Sequence, residues 1–136
     1  MAGETKRVEV TWDGGMRFRG GAPGGPTALV DADNAAAPGP TLTLLLAAAA
    51  CSGADVVSIL DKMRIKLETL RIEVAGLRRE SEPRRFVSIR FAFHLRGAGL
   101  DEAKARRAID LSLGKYCSVV HSLASDIAVE YDLHLA

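Results

Sequence analysis

Residues 40–60 read PTLTLLLAAAACSGADVVSIL, and this stretch decides the fold. Apolar and small residues recur in it at steps of three and four, the spacing of one face of an α-helix. They are Leu42, Leu45, Leu46, Ala49, Ala50, Gly53, Val56, Val57 and Leu60. The opposite side, which includes Cys51, is apolar as well, and a helix that is apolar all round is buried all round. The pattern predicts a long buried central helix starting near Pro40, with burial completed more easily if a second subunit covers one face.

Strands flank this helix on its N-terminal side. Val8, Val10 and Trp12 alternate with polar residues, as do Met16 and Phe18, which is the period of a half-buried strand. Asp13-Gly14-Gly15 between the two runs tolerates positive φ and predicts a hairpin turn. A short third strand is predicted at 28–30.

The C-terminal side alternates again. Strands are predicted over 70–74, 87–95 and 127–135, and a helix capped by Asp101 is predicted towards Leu113, with Gly114 breaking or kinking it. Strands come in runs rather than in βαβ units, so the predicted fold class is α+β with mainly antiparallel sheets. A chain of 136 residues is expected to form a single domain, 1–136.

Composition excludes several classes of function. Eighteen basic and 17 acidic residues nearly cancel, which argues against a nucleic-acid partner, since phosphate binding needs a clustered basic surface. The apolar block from Leu42 to Cys51 is too short for a bilayer span of about 20 residues, so no membrane partner is expected. The N-terminus lacks a secretory h-region, so we expect a cytoplasmic protein.

Two cysteines in a reducing compartment are more often free, catalytic or redox-cycling than structural. Cys51 lies about three turns into its helix, beyond the reach of the helix dipole. Because burial in apolar surroundings raises a thiol's pKa, a reactive Cys51 would need a cation from elsewhere, and Asp55 one turn later opposes the thiolate. An inert core cysteine is the alternative, because free cysteine is among the most buried residue types.

Cys117 follows Lys115 near the helix break, where we expect it to be the more exposed thiol. A nucleophilic and a resolving thiol are the minimum for a cycle between sulfenic acid and disulfide. His121, four residues later, is an alternative catalytic base. The three histidines and two cysteines have no zinc-site spacing, so no metal is expected. Arg17 and Arg19 either form a solvated sheet face or supply the cation that Cys51 lacks.

The cysteine motifs carry a resemblance to a known family. The segment from Pro40 through Cys51-Ser-Gly-Ala-Asp55 to Leu60, followed by Asp110-Leu-Ser-Leu-Gly-Lys-Tyr-Cys117-Ser-Val, resembles the OsmC/Ohr family, especially its YhfA-type members. Pro83-Arg84-Arg85-Phe86 fits the same family. The resemblance implies an OsmC-like intertwined homodimer, with antiparallel sheets packed around the central helix.

The resemblance also implies an activity, the thiol-dependent reduction of organic hydroperoxides in oxidative-stress defence. Cys51 would be the peroxidatic thiol and Cys117 the resolving thiol. No cofactor would be bound; an external dithiol of the lipoyl type on a reductant protein would reduce the disulfide. The family's supporting arginine matches Arg17 most nearly, while its glutamate position is occupied here by Thr41. The absence of the carboxylate at Thr41 favours an alternative, a redox-sensing or small-molecule-binding protein with little turnover. A third hypothesis is that the two cysteines are purely structural.

Overall fold

The computed structural model describes residues 3–136, and the chain divides into two compact units, one ending at Leu44 and the other formed by Leu45–Ala136. The order of elements is β-β-β-α-β-β-α-α-β, with a π-helical turn between the last two helices. Their bounds are β1 Glu9–Trp12, β2 Arg17–Gly21, β3 Ala28–Asp31, α1 Pro40–Lys62, β4 Lys66–Arg78, β5 Phe86–Ala98, α2 Glu102–Leu111, the π-helical turn Ser112–Tyr116, α3 Ser118–His121 and β6 Ala128–Leu135. The α+β class is confirmed.

The first unit holds an antiparallel sheet of β1, β2 and β3 in sequence order. Gly14 and Gly15 both have positive φ in the turn that joins β1 to β2, and Asp13 N–H donates to the Arg17 carbonyl at 2.8 Å. The hairpin predicted from Asp13-Gly14-Gly15 is therefore confirmed.

The segment between β3 and α1 is organised by one buried carboxylate. Asp31 accepts backbone N–H groups from Asp33, Ala35 and Ala36 at 2.9, 3.3 and 2.8 Å. These bonds, with the one from Ala36 the strongest, hold the Asp31 pKa below its ordinary value. The loop that leads to the start of α1 is thus tied to a single side chain.

The second unit holds a sheet in the order β4-β5-β6. β4 and β5 form a long antiparallel pair, whereas β6 lies parallel to β5, with Ser88 opposite Ala128 and Leu95 opposite Leu135. Parallel pairing requires a crossover connection, here built from α2, the π-helical turn and α3. The sequence predicted the strand over 127–135 but not its direction. Ile89, Phe91, Phe93 and Leu95 alternate inward along β5 and form the core.

One face of α1 packs on this sheet. A Cβ added at Gly53 would come within 3.0 Å of Ile72 Cδ1 on β4, so the missing side chain permits the close approach of helix and strand. Val56 and Leu60 on the same face are fully buried. The flank of the helix next to this face is not covered by residues 3–136: Leu46 is 54% exposed and Val57 is 48% exposed. Burial of α1 on all sides, as expected from the sequence, is therefore not achieved by one chain alone.

Length and apolar composition alone would allow α1 to cross a bilayer. The core helix of a globular domain passes the same test, and in the described residues 28% of the apolar stretch of α1 is buried.

The crossover begins with the expected cap. Asp101 Oδ1 accepts the Lys104 N–H at 2.8 Å at the start of α2, which confirms Asp101 as the N-cap. At its C-terminal end the helix widens into the π-helical turn that contains Gly114, where the sequence predicted a break or kink. Cys117 follows directly and precedes α3.

Candidate functional site

The side chains of Cys51 and Cys117 meet in the second unit. Cys51 lies in the middle of α1, and Cys117 lies between the π-helical turn and α3. Both cysteines are free, and their thiols are hydrogen-bonded to each other. The interaction with Cys51 favours the protonated form of Cys117. Two thiols in hydrogen-bond contact can form a disulfide with little rearrangement of the backbone.

The two thiols differ in exposure. Cys117 is 0% exposed, whereas Cys51 is partly exposed. The expectation that Cys117 is the more exposed thiol is therefore wrong. The physical reason is the π-helical turn: it ends the crossover helix without exposing the next residue, and it directs the Cys117 side chain towards α1. A helix break visible in the sequence does not indicate on which side the following side chain lies.

Burial has a second effect on Cys117. It raises the pKa of this thiol to about 11, and the backbone N–H groups of Val120 and Val119, which act in the opposite direction, do not compensate. The hydrogen bond to Cys51 raises the pKa further. At neutral pH Cys117 is therefore a protonated thiol, which is a poor nucleophile. The chemistry open to this pair starts at Cys51.

A polar contact lies next to the cysteines. Ser112 Oγ donates a 2.9 Å hydrogen bond to Asp55 Oδ2. Ser112 is completely buried and opens the π-helical turn, while Asp55 is half-buried on α1, one turn after Cys51. The sequence indicated Asp55 only as a charge unfavourable to a Cys51 thiolate. It contained no signal for Ser112, because a serine in a helix carries no pattern of its own.

A cavity of about 480 Å³ begins beside these residues. Asp55 and Tyr116 line it near the cysteines, and Lys62 and Arg107 contribute cations farther along α1 and α2. The remaining lining residues are Ser58, Ile59, Met63 and Leu111. The cavity therefore combines apolar walls with one carboxylate, that of Asp55, and two cations.

Other residues considered from the sequence lie elsewhere or have other partners. Arg17 is half-buried on β2, where its Nη2 donates to the Asp13 carbonyl at 3.3 Å, and it belongs to the first unit. Its part in activating Cys51 stays a prediction. Thr41 is exposed, and the first turn of α1 contains no acidic residue. His121 Nε2 lies 3.1 Å from the Leu113 carbonyl, so this nitrogen carries a proton and is not available as a base.

The cysteine segments and the fold can be compared with known proteins. Residues 32–132, which include α1, both cysteines and most of β6, match the family described as OsmC-like protein. The chain belongs to this family. Protein YhfA of Escherichia coli (strain K12) is 36% identical to the OsmC-like chain over 126 residues, which cover 92% of this chain and 94% of that protein.

Solved structures agree on the OsmC-like fold. The OsmC-like protein from Mycoplasma pneumoniae superimposes with a TM-score of 0.84 at 17% identity and 98% coverage of both chains. The organic hydroperoxide resistance protein OhrB of Bacillus subtilis superimposes with a TM-score of 0.62 at 18% identity, covering 96% of this chain and 98% of that one. At these identities the likeness establishes the fold alone.

Proposed function

We propose that this OsmC-like protein is a thiol-dependent peroxidase that reduces organic hydroperoxides. The observation that supports this most directly is the hydrogen-bonded pair of Cys51 and Cys117, in which one thiol is accessible and the other is buried and holds its proton. An accessible thiol can meet a hydroperoxide, and a buried neighbour can resolve the product. That the fold is shared with an organic hydroperoxide resistance protein, OhrB, is consistent with the proposal.

The proposed reaction has two steps on the protein. The Cys51 thiolate attacks the terminal oxygen of the hydroperoxide, the O–O bond breaks, and the alcohol leaves with a proton while Cys51 becomes a sulfenic acid. Cys117 then gives its proton to the departing hydroxyl as its sulfur attacks the Cys51 sulfur, so an S–S bond forms, the S–O bond breaks and water leaves. The disulfide is reduced by an external dithiol, for which a lipoyl-type group on a reductant protein is our candidate. No bound cofactor is required.

The cation that stabilises the Cys51 thiolate is proposed to be Arg17. A cation beside a thiol favours the charged form and makes the nucleophile available at neutral pH. Thr41 cannot orient an arginine as a carboxylate would, since its hydroxyl carries no charge. We expect a cytoplasmic location, where the thiols start each cycle reduced.

The proposed assembly is a homodimer. In the first unit Val10 is 64% exposed and Trp12 is 66% exposed, and in the second unit Leu46 and Val57 are about half exposed. Large apolar side chains exposed in each unit of a folded chain support an interaction surface. Covering it with a second copy would bury the exposed face of α1. Sedimentation equilibrium tests this: a mass of twice 14.5 kDa supports the dimer, and a monomer at micromolar concentration contradicts it.

The peroxidase activity is tested with purified protein, cumene hydroperoxide and dihydrolipoamide. We expect multiple turnovers for the wild type, none for Cys51→Ser, and a single stoichiometric turnover for Cys117→Ser, whose sulfenic acid is trapped by dimedone. Equal rates for the wild type and Cys51→Ser would exclude the proposal.

A second candidate function is redox sensing or small-molecule binding without efficient turnover. The exposed Thr41 in place of the family carboxylate favours it, and the cavity of about 480 Å³ beside the cysteines offers a binding volume. The same assay separates the two functions. A sensor forms the disulfide with stoichiometric peroxide but shows no rate enhancement when dihydrolipoamide is supplied.

A further inference from the structure

The hydrogen bond between Ser112 and Asp55 connects the two segments that carry the cysteines. Asp55 follows Cys51 by four residues, so both lie on the same face of α1. On the other segment, the Ser112 carbonyl accepts the Cys117 N–H at 2.7 Å across the π-helical turn. A short path therefore runs from Cys51 along one turn of α1 to Asp55, across the 2.9 Å bond to Ser112, and back to Cys117.

This contact has no duplicate nearby. Within residues 3–136, no other side-chain hydrogen bond or ion pair joins α1 to the crossover of α2, the π-helical turn and α3, apart from the contact between the two thiols. Other polar contacts of the crossover run to the sheet, where Tyr131 Oη donates to Asp110 Oδ1 at 2.8 Å and accepts from Arg106 Nη1 at 3.5 Å. The position of the π-helical turn along α1 thus depends on the hydrogen bond between Ser112 and Asp55 and on apolar packing. Apolar packing is not directional, so the hydrogen bond is the contact that fixes this position.

We propose that Asp55 and Ser112 are positioning residues that hold the Cys117 sulfur against Cys51 and so favour closure of the disulfide. The role of this pair in a catalytic cycle rests on the proposed function. Its effect on disulfide formation does not, because the two thiols can form a disulfide without any peroxidase activity. Neither residue exchanges a proton or an electron in the step. The hydrogen bond restricts the relative motion of α1 and the π-helical turn, and that restriction raises the effective concentration of one thiol at the other.

A π-helical turn is suited to this role. Such single turns are rare and occur mostly at functional sites, because the wider i→i+5 ring displaces the following residue relative to an α-helix. Here the ring is closed by Cys117 N–H and the Ser112 carbonyl, and the serine hydroxyl remains free to donate to Asp55. The same residue therefore fixes the turn and attaches it to α1.

The test measures the dithiol–disulfide equilibrium of the full-length protein in glutathione redox buffers, without peroxide. We expect Ser112→Ala and Asp55→Ala to lower the equilibrium constant for disulfide formation about tenfold, the worth of one lost hydrogen bond, which shifts the potential by about 30 mV. Asp55→Asn should remain close to the wild type, because the amide oxygen still accepts the Ser112 hydroxyl. Tyr131→Phe is the control: it removes the hydrogen bonds of the Tyr131 hydroxyl with Asp110 and Arg106 of the same crossover but leaves the attachment to α1 intact.

Two outcomes would overturn the inference. In the first, Ser112→Ala and Asp55→Ala lower the melting temperature as Tyr131→Phe does and leave the potential unchanged, which assigns the pair a structural role only. In the second, Asp55→Asn changes the potential as much as Asp55→Ala, which assigns the effect to charge rather than to position. If the potential shifts as expected while the peroxidase assay shows no turnover, the positioning role stands and the proposed function fails.

Discussion

Cys51 and Cys117 are in contact, and of the two Cys51 is partly exposed whereas Cys117 is buried. A reagent in solution should therefore distinguish the two thiols in the folded protein. We expect iodoacetamide at pH 8 to alkylate Cys51 and to spare Cys117 until the protein is denatured. Peptide mass spectrometry of native and urea-treated samples measures this. Preferential labelling of Cys117 in the native protein would contradict the assigned burial.

Alkaline pH should destabilise the fold through Cys117. Burial raises the pKa of this thiol from about 9 to about 11, so the folded state holds a proton that the unfolded chain has released. Between these two values the unfolded state binds fewer protons, and the free energy of unfolding therefore falls as pH rises; below about pH 9 the contribution is fully present. We expect urea midpoints to decrease between pH 9 and 11, and to decrease less in Cys117→Ala. Parallel curves for the two proteins would argue against the raised pKa.

Gly76 on β4 leaves room for an aromatic ring. A Cβ at this position would lie 2.6 Å from Phe86 Cε1 and 3.2 Å from Leu45 Cδ2. Gly76→Ala should therefore cost about 1–3 kcal/mol through overpacking, measured by urea unfolding. Gly114→Ala is the control, because a Cβ there meets nothing within 4 Å and alanine favours helical backbone. A Gly76→Ala protein as stable as Gly114→Ala would mean that Phe86 moves aside without loss.

Arg17 and Arg19 offer a matched pair for the proposed cation. Both lie on β2, separated by one residue, and Arg17 is the less exposed of the two. If Arg17 stabilises the Cys51 thiolate, Arg17→Ala should slow the reaction with cumene hydroperoxide at pH 7 at least about tenfold, because the nucleophile loses its neighbouring cation. Arg19→Ala should stay near the wild-type rate. Stopped-flow kinetics measures both, and the same rate in both variants would remove Arg17 from the mechanism.

Local features of this fold were predictable from the sequence because local chemistry determines them. The turn at Gly14 and Gly15 and the cap at Asp101 depend on residues within a few positions of one another. The direction of β6 was not predictable, since alternation over 127–135 fits a parallel or an antiparallel neighbour equally well. The bounds of β4 were also too short, at 70–74 against Lys66–Arg78, because register irregularities at Leu67/Thr69 and Leu77/Arg78 interrupt the simple alternation.

In the candidate site, too, local features were predictable from the sequence and contacts between distant segments were not. The family motifs selected Cys51 and Cys117, but their mutual contact and their unequal burial arise from packing between segments far apart in the sequence. Ser112 was not predicted as a site residue, because its hydrogen bond to Asp55 joins two distant parts of the sequence and the residues around Ser112 do not indicate it.

The parallel placement of β6 has a consequence for the order of folding. β4 and β5 are neighbours in sequence and can pair early, whereas β6 can add only after the chain has travelled through the whole crossover. Cys117 lies within that crossover, so we expect its contact with Cys51 to form later than the pairing of β4 with β5. We therefore expect that a nascent or partly folded chain keeps its two thiols apart, and that the capacity to form the disulfide itself reports a completed fold.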